Sequence, residues 1–193
     1  MESDSILPQL LLQLVLIAVN ALFAATEIAV ISLNETKVRR MAEGGDRKAA
    51  KMLRMVTEPT GFLSTIQICI TLAGFLGSAF AADNFSDKLV NWLINDCEVS
   101  GVSPSALDTI SVIIITLVLS YFTLVLGELV PKRIAMKRPE GIARAVSGLM
   151  IGMTTVLRPV IWLLTVSTNG VLRLCGIDPK DNAEEVSEEV IIM

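Results

Sequence analysis

Apolar residues gather in four blocks along the chain, and polar residues collect between them. The blocks run from Leu7 to Leu33, from Gly61 to Ala82, from Ile110 to Val130 and from Ile142 to Cys175. At 1.5 Å of rise per residue, about 20 apolar residues cross a hydrocarbon core of about 30 Å. The first three blocks therefore predict transmembrane helices over 7–33, 61–82 and 110–130. The fourth is cut by Arg158 and Pro159 into Ile142–Leu157 and Val160–Cys175, 16 residues each, and the first piece carries Arg144. Proline disfavours one helix through the junction. This block predicts a helical hairpin over 139–176 that dips into one leaflet; a full fourth span is the competing reading.

Between the first two blocks the pattern changes period. In "NETKVRRMAEGGDRKAAKMLRMV", Val38, Met41 and Ala42, then Ala49, Met52, Leu53 and Val56, recur at helical spacing on either side of Gly44-Gly45. This predicts two short amphipathic helices over 35–58, basic on one face and suited to anionic headgroups. Asn34 is a candidate cap for the first, with Ser32 and Thr36 as alternatives.

Composition agrees with the pattern. The chain has 193 residues, 52% hydrophobic and only 19% charged, with a mean hydropathy of +0.63. That exceeds the balance of a soluble domain. The net charge of −4 sums loops that belong to different compartments. Histidine is absent, which removes the commonest proton shuttle and metal ligand. Cys69, Cys97 and Cys175 form neither a zinc spacing nor a disulfide framework. The acidic residues Glu2 and Asp4 precede the first block, so the N-terminus does not read as a cleavable signal.

Loop charge sets the expected orientation. The segment 35–58 holds seven basic residues against four acidic ones, and Lys132, Arg133, Lys137 and Arg138 follow the third block. Between the second and third blocks lie Asp83, Asp87, Asp96, Glu98 and Asp108 with only Lys88, which predicts an acidic loop. Basic loops stay cytoplasmic. The expectation is a plasma or inner membrane protein, N-terminus outside and C-terminus cytoplasmic. The tail "DPKDNAEEVSEEVIIM" begins what looks like a helix at Ser187 and then stops, so residues 179–193 read as a linker toward a further domain.

The chemistry lies in the polar positions of the apolar blocks. A charge at mid-bilayer costs on the order of 2.5–3.5 kcal/mol, so such groups face protein or water. Asn20, Ala24 and Glu27 share one face of the first helix, and Gln67, Thr71, Gly74 and Ser78 one face of the second, with Thr65 nearby. Small residues on such a stripe let helices approach closely, but that does not account for the carboxylates of Glu27 and Glu128. In "GELVPKR", Pro131 has no N–H for the carbonyl of Gly127. A freed carbonyl beside the Glu128 carboxylate makes a hard-oxygen site, as in the broken helices of transporters, suited to Mg²⁺, Ca²⁺ or Na⁺. The competing reading is a proline kink with Glu128 paired to Lys132 one turn on.

Three segments, "NALFAATEIAVISLNETKVRRMAEGGDRKAAKML", "FLSTIQICITLAG" and "LGELVPKRIAMKRPE", together resemble the membrane module of the CorC/cyclin M (CNNM) family, whose bacterial members are often labelled hemolysin-related. The resemblance covers the chain from about Leu7 onward. It implies an all-α membrane fold over residues 1–178: three transmembrane helices, a juxtamembrane helical belt and the C-terminal helical hairpin, assembled as a homodimer in the bilayer. It implies a cytoplasmic pair of cystathionine-β-synthase (CBS) motifs beyond the module, which binds ATP with Mg²⁺ in relatives. It implies Mg²⁺ as the transported substrate, with Na⁺ as counter-ion, and a π-type turn at the third-helix Gly-Glu. Carried over by position, the cation ligands are Glu128 and the Gly127 backbone, with Asn20, Ala24, Thr71 and Gly74 at the other family positions. Ala24 and Gly74 offer no side-chain oxygen, so Gln67, Ser78, Thr65, water or backbone must substitute. Glu27 matches a family residue that braces the helix junction or touches the ion.

Two functions follow: a Mg²⁺ exporter driven by Na⁺ influx, or a Mg²⁺-binding sensor or scaffold that regulates another transporter. With no nucleophile–base pair and no phosphate loop, the chain does not read as an enzyme. No nucleic-acid partner is expected.

Overall fold

The computed structural model describes residues 6–95 and 104–176. It is helical, with no strand among the described residues. Residues up to Ile151 form one compact unit and those from Gly152 a second.

In the first unit, α1 spans Ile6–Ile31, α2 Glu35–Glu43, α3 Arg47–Thr57, α4 Pro59–Asn95 and α5 Pro104–Leu124. A π-helical turn follows over Val125–Leu129, continued by α6 over Val130–Lys137; α7 starts at Pro139 and runs to Val156. Among the described residues, three stretches are long and apolar enough to cross a membrane: Ile6–Ile31, Pro59–Ala82 and Ser105–Lys137. At 26 residues, α1 is about 39 Å long, more than a hydrocarbon core requires. Helix α1 packs against α4, α6 and the π-turn, and α4 packs against α5. Its buried side, including Gln13, Ile17, Asn20 and Ala24, recurs at helical spacing. Outward-facing Leu7, Leu11, Leu14, Phe75, Leu117 and Tyr121 are exposed, as suits side chains in contact with lipid.

The second apolar block does not end its helix at Ala82. Helix α4 continues to Asn95, so the expected acidic loop gives way to helix over its first part. Apolar residues spaced along this extension, Phe85, Leu89 and Trp92, line a groove with Leu10 of α1 and Val118 of α5. That tertiary support outweighs the polar composition that suggested a loop. Cys97, the middle of the acidic segment and the 179–193 linker lie outside the described residues.

Helices α2 and α3 form the predicted belt. Asn34 is the cap of α2: its Oδ1 accepts from the Lys37 N–H at 2.9 Å. Asp46 caps α3, accepting from the Lys48 and Ala49 N–H groups at 2.9 and 3.3 Å. Gly45 joins the two helices with φ of +89°, a conformation that favours glycine. Ala29, Leu33, Val38, Met52, Ala135 and Ala143 form the core beneath the belt. Two ion pairs tie α7 to it: Lys37 with Glu140, and Arg144 with Asp46 at 2.8 Å. Arg144, a cost inside an apolar block, is thereby paired at the belt.

In the second unit the fourth apolar block breaks where Arg158-Pro159 predicted. Helix α7 ends at Val156 and α8 runs Arg158–Leu174, with proline in its first turn, where no N–H is needed. No residue of α8 is buried, and Trp162, Leu163 and Val171 are exposed. Cys69 is buried and Cys175 exposed, both as free thiols.

Candidate cation site

The third apolar stretch stays helical through Pro131 by changing its winding. Val125–Leu129 form a π-turn in which the Val130 N–H bonds to the Val125 carbonyl five residues back. Such a bulge re-aims side chains and collects at functional sites. Pro131 cannot donate to Gly127, and the side-chain amide of Asn20 does so instead: Nδ2 to Gly127 O at 3.2 Å, in a buried setting. Gly127 permits this approach. A Cβ there would lie 3.2 Å from Asn20 Nδ2 and 3.4 Å from the Ile17 carbonyl.

Beside this contact Glu128 lines a cavity of about 330 Å³. The other walls include Gly74 and Ser78 of α4, Gln13 of α1, and Thr116, Ser120 and Thr123 of α5. Glu128 is held on its other side by Lys132, whose Nζ lies 2.9 Å from Glu128 Oε1 and 3.1 Å from Glu27 Oε2. The Gly127 carbonyl is bonded from another helix, and Glu128 pairs with Lys132 one turn on, as the competing reading of GELVPKR expected. Glu27, from α1, completes the ionic cluster. Two carboxylates around one ammonium leave a formal charge of −1.

The candidate residues separate into groups. Asn20, Gly127, Glu128, Gly74 and Ser78 come together around the π-turn and cavity. Glu27 joins through Lys132. Ala24 is fully buried in the packed face of α1 and presents only a methyl group. Thr65 is buried, its hydroxyl bonded to the Gly61 carbonyl at 2.8 Å. Gln67 and Thr71 are exposed on α4. Among the described residues no three acidic, histidine or cysteine side chains converge on one point, so an ion here would take one carboxylate plus neutral oxygens.

Gln13 and the hydroxyls of α5 are absent from the sequence-based candidate set. The signal was present: Thr116, Ser120, Thr123 and Gly127 recur at i, i+4, i+7 and i+11, the stripe that marked the second span. Gln13 lies two turns before Asn20 on the same face of α1.

Comparison with known proteins places the whole arrangement. The chain is 36% identical over its full length to a UPF0053 protein of Synechocystis sp., covering 42% of that protein. It is 28% identical over 91% of its length to the polyamine export protein of Haemophilus influenzae, covering 39% of it. A UPF0053 inner membrane protein of Escherichia coli is 29% identical over 82% of this chain, which covers 33% of it. The chain thus spans well under half the length of these relatives. Residues 11–193 match the cyclin M transmembrane N-terminal domain, so this chain, with three apolar helices able to cross a bilayer, is a membrane protein of the cyclin M (CNNM) family.

Proposed function

We propose that this domain is the membrane part of a cation exporter, with Mg²⁺ as substrate and Na⁺ influx as driving force. The observation that carries the reading is the π-turn: it brings Asn20, the Gly127 carbonyl and the Glu128 carboxylate to one place beside a cavity with hydroxyl groups in its wall. Mg²⁺ takes oxygen ligands and dehydrates reluctantly, so it keeps several waters against one or two carboxylates. One carboxylate with hydroxyl groups at a cavity roomy enough for several waters suits that habit. Export against an inside-negative potential costs about 2.3 kcal/mol per charge per 100 mV, which Na⁺ moving inward offsets.

Lys132 gives the cycle a resident counter-charge. With the site free of substrate its ammonium neutralises part of Glu27 and Glu128. A cation arriving at Glu128 displaces the ammonium toward Glu27, so neither carboxylate is left without a partner. The exposed Gln67 and Thr71 on an apolar span are costly against lipid and are covered when a second copy packs there, which supports a homodimer. The basic charge of the belt supports a cytoplasmic α2–α3 side, where the CBS pair with its ATP would attach.

A second reading has its own support. The Lys132 ammonium between two carboxylates shows that this cluster accommodates an alkylammonium group, and one relative is named a polyamine export protein. A polyamine is then the alternative cargo.

The test is flux by the intact protein in proteoliposomes, with a Mg²⁺ dye inside and labelled putrescine in parallel. Mg²⁺ movement that requires Glu128, and is lost in Glu128→Gln, supports the first reading; putrescine movement with the same requirement supports the second. Binding at Glu128 without movement of either would make the domain a sensor or scaffold.

A further inference from the structure

The far end of α4, away from the belt, carries a groove of another kind. Phe85, Leu89 and Trp92 of α4 face Leu10 of α1 and Ile114 and Val118 of α5 across a space of about 410 Å³, within the size range of small-ligand sites. Helices α1 and α5 make little contact with each other, each packing instead on α4 and the π-turn, and the groove is the gap left between them. Its walls are hydrocarbon except at Lys88. Ile114 and Val118 lie inside the candidate span Ser105–Lys137, whereas Lys88 stands six residues past Ala82, where the second candidate span ends. Six residues are about 9 Å of helix, so the groove runs from hydrocarbon depth into the headgroup layer. Trp92, one turn further on, is of the amphipathic type that gathers at that level. The Lys88 ammonium donates to Gln9 Oε1 and, among the described residues, pairs with no carboxylate. Two of its three donors are therefore open to a further acceptor.

We propose that this groove is a binding site for a phospholipid with an anionic headgroup, one acyl chain lying between α1, α4 and α5 and the phosphate held by Lys88. Bilayer lipid is the molecule in bulk at this depth, and it supplies both parts the groove asks for: a hydrocarbon chain for the walls and a negative charge for the ammonium. The head is held by local contact and not by the field of the surface. Lys88 is the only basic residue from Asp83 to Asp108, a segment that also carries Asp87, Asp96 and Glu98. Neither Asp83 nor Asp87 stands three or four residues from Lys88, the spacing at which side chains meet along a helix. Removing the Lys88 charge therefore removes the preference for an anionic head altogether. Leu119 is a wall of this groove and of the cavity beside Glu128, so a chain bound here backs the side chain that bounds that cavity. The site does not depend on what the domain carries.

Trp92 is the built-in reporter. The experiment uses the intact protein in proteoliposomes, with every other tryptophan, Trp162 included, replaced by phenylalanine. Quenching of Trp92 is measured with phosphatidylglycerol brominated in its acyl chains and with phosphatidylcholine brominated in the same way. The expected result is binding of the anionic lipid about fivefold tighter than of the zwitterionic one, the preference one interfacial lysine confers. Lys88→Gln is expected to abolish that preference and Lys88→Arg to keep it. Val118→Phe fills the groove from an exposed position and is expected to lower quenching by either lipid. Equal quenching by the two lipids means ordinary surrounding bilayer and overturns the proposal. So does a preference that survives Lys88→Gln, which places the headgroup elsewhere, or quenching untouched by Val118→Phe, which places the chain elsewhere. No quenching by either lipid means that a second copy or another segment covers the groove, and that also overturns it.

Discussion

The side-chain amide of Asn20 donates to the main-chain carbonyl of Gly127 at 3.2 Å, joining two spans that are 107 residues apart in sequence. That one bond explains how the third span tolerates Pro131 in a bilayer. A backbone acceptor left without its usual donor is costly in hydrocarbon, and here a neighbouring helix supplies the donor. It also fixes where the Glu128 carboxylate points, because residue 128 sits in the same widened turn.

Gly127→Ala tests that close approach. Alanine gains about 1 kcal/mol over glycine in a helix, but the added Cβ meets Asn20 Nδ2 at 3.2 Å. Overpacking costs about 1–3 kcal/mol and the displaced hydrogen bond about 1 more. The expected net is a loss of about 1–3 kcal/mol in detergent unfolding, with loss of flux. At Gly74 nothing lies within 4 Å of a built Cβ. Gly74→Ala is therefore expected to be neutral or stabilising by up to ~1 kcal/mol. Equal destabilisation at the two glycines would remove the role given to the contact.

Lys132→Met removes the resident ammonium and leaves Glu27 and Glu128 without it. Their repulsion then favours any added cation. Charges a few ångströms apart interact by a few kcal/mol at an intermediate effective dielectric; after solvent screening, a tightening of on the order of tenfold in Mg²⁺ affinity is expected. Titration calorimetry on the variant measures it. Unchanged or weaker binding would mean that Lys132 does not compete with the ion.

Asp46 ties the belt to α7 and sets a pH response. The backbone N–H of Ala49 is the largest cause holding its carboxyl below the ordinary aspartate range, with Lys48 N–H and Arg144 adding to it against some desolvation. A depressed folded-state pKa contributes stability above the unfolded value, near 4, which is lost as pH falls through the folded value. Helical signal and α7 protection, followed by hydrogen exchange, are expected to weaken below about pH 4. Asp46→Asn keeps a capping oxygen and should flatten that dependence. A belt equally acid-sensitive in both proteins would contradict the assignment.

The belt is held by its core more than by its ion pairs. Met52 is 1% exposed and Ala143 fully buried, whereas the Lys37 and Glu140 side chains are 59% and 41% exposed. Met52→Ala is expected to cost about 2–5 kcal/mol. Glu140→Gln, which breaks a solvent-screened pair, is expected to cost under about 1 kcal/mol. Denaturant titration in detergent separates the two; a larger effect from Glu140 would reverse the ranking.

Much of this is legible in the sequence. Block lengths gave the three spans, Gly44-Gly45 the joint between α2 and α3, and Arg158-Pro159 the break before α8. The end of α4 was not legible. Asn84 and its neighbours look like a loop until Leu89 and Trp92 are seen lining a groove with α1 and α5. Gln67 and Thr71 looked equivalent to Gly74 and Ser78, because period alone says which residues share a face and not which of them border a cavity with another helix.

The primary sequence by itself determined that this is a bilayer protein, since apolar runs of this length have no other stable home, and that the third span must distort at Pro131, since proline has no N–H to give. Only the tertiary structure decided what answers that distortion: Asn20 at the Gly127 carbonyl, with Lys132 between Glu27 and Glu128. Helical period marks a polar face, but the partner across it is set by how the helices pack, and that depends on every side chain in the interface.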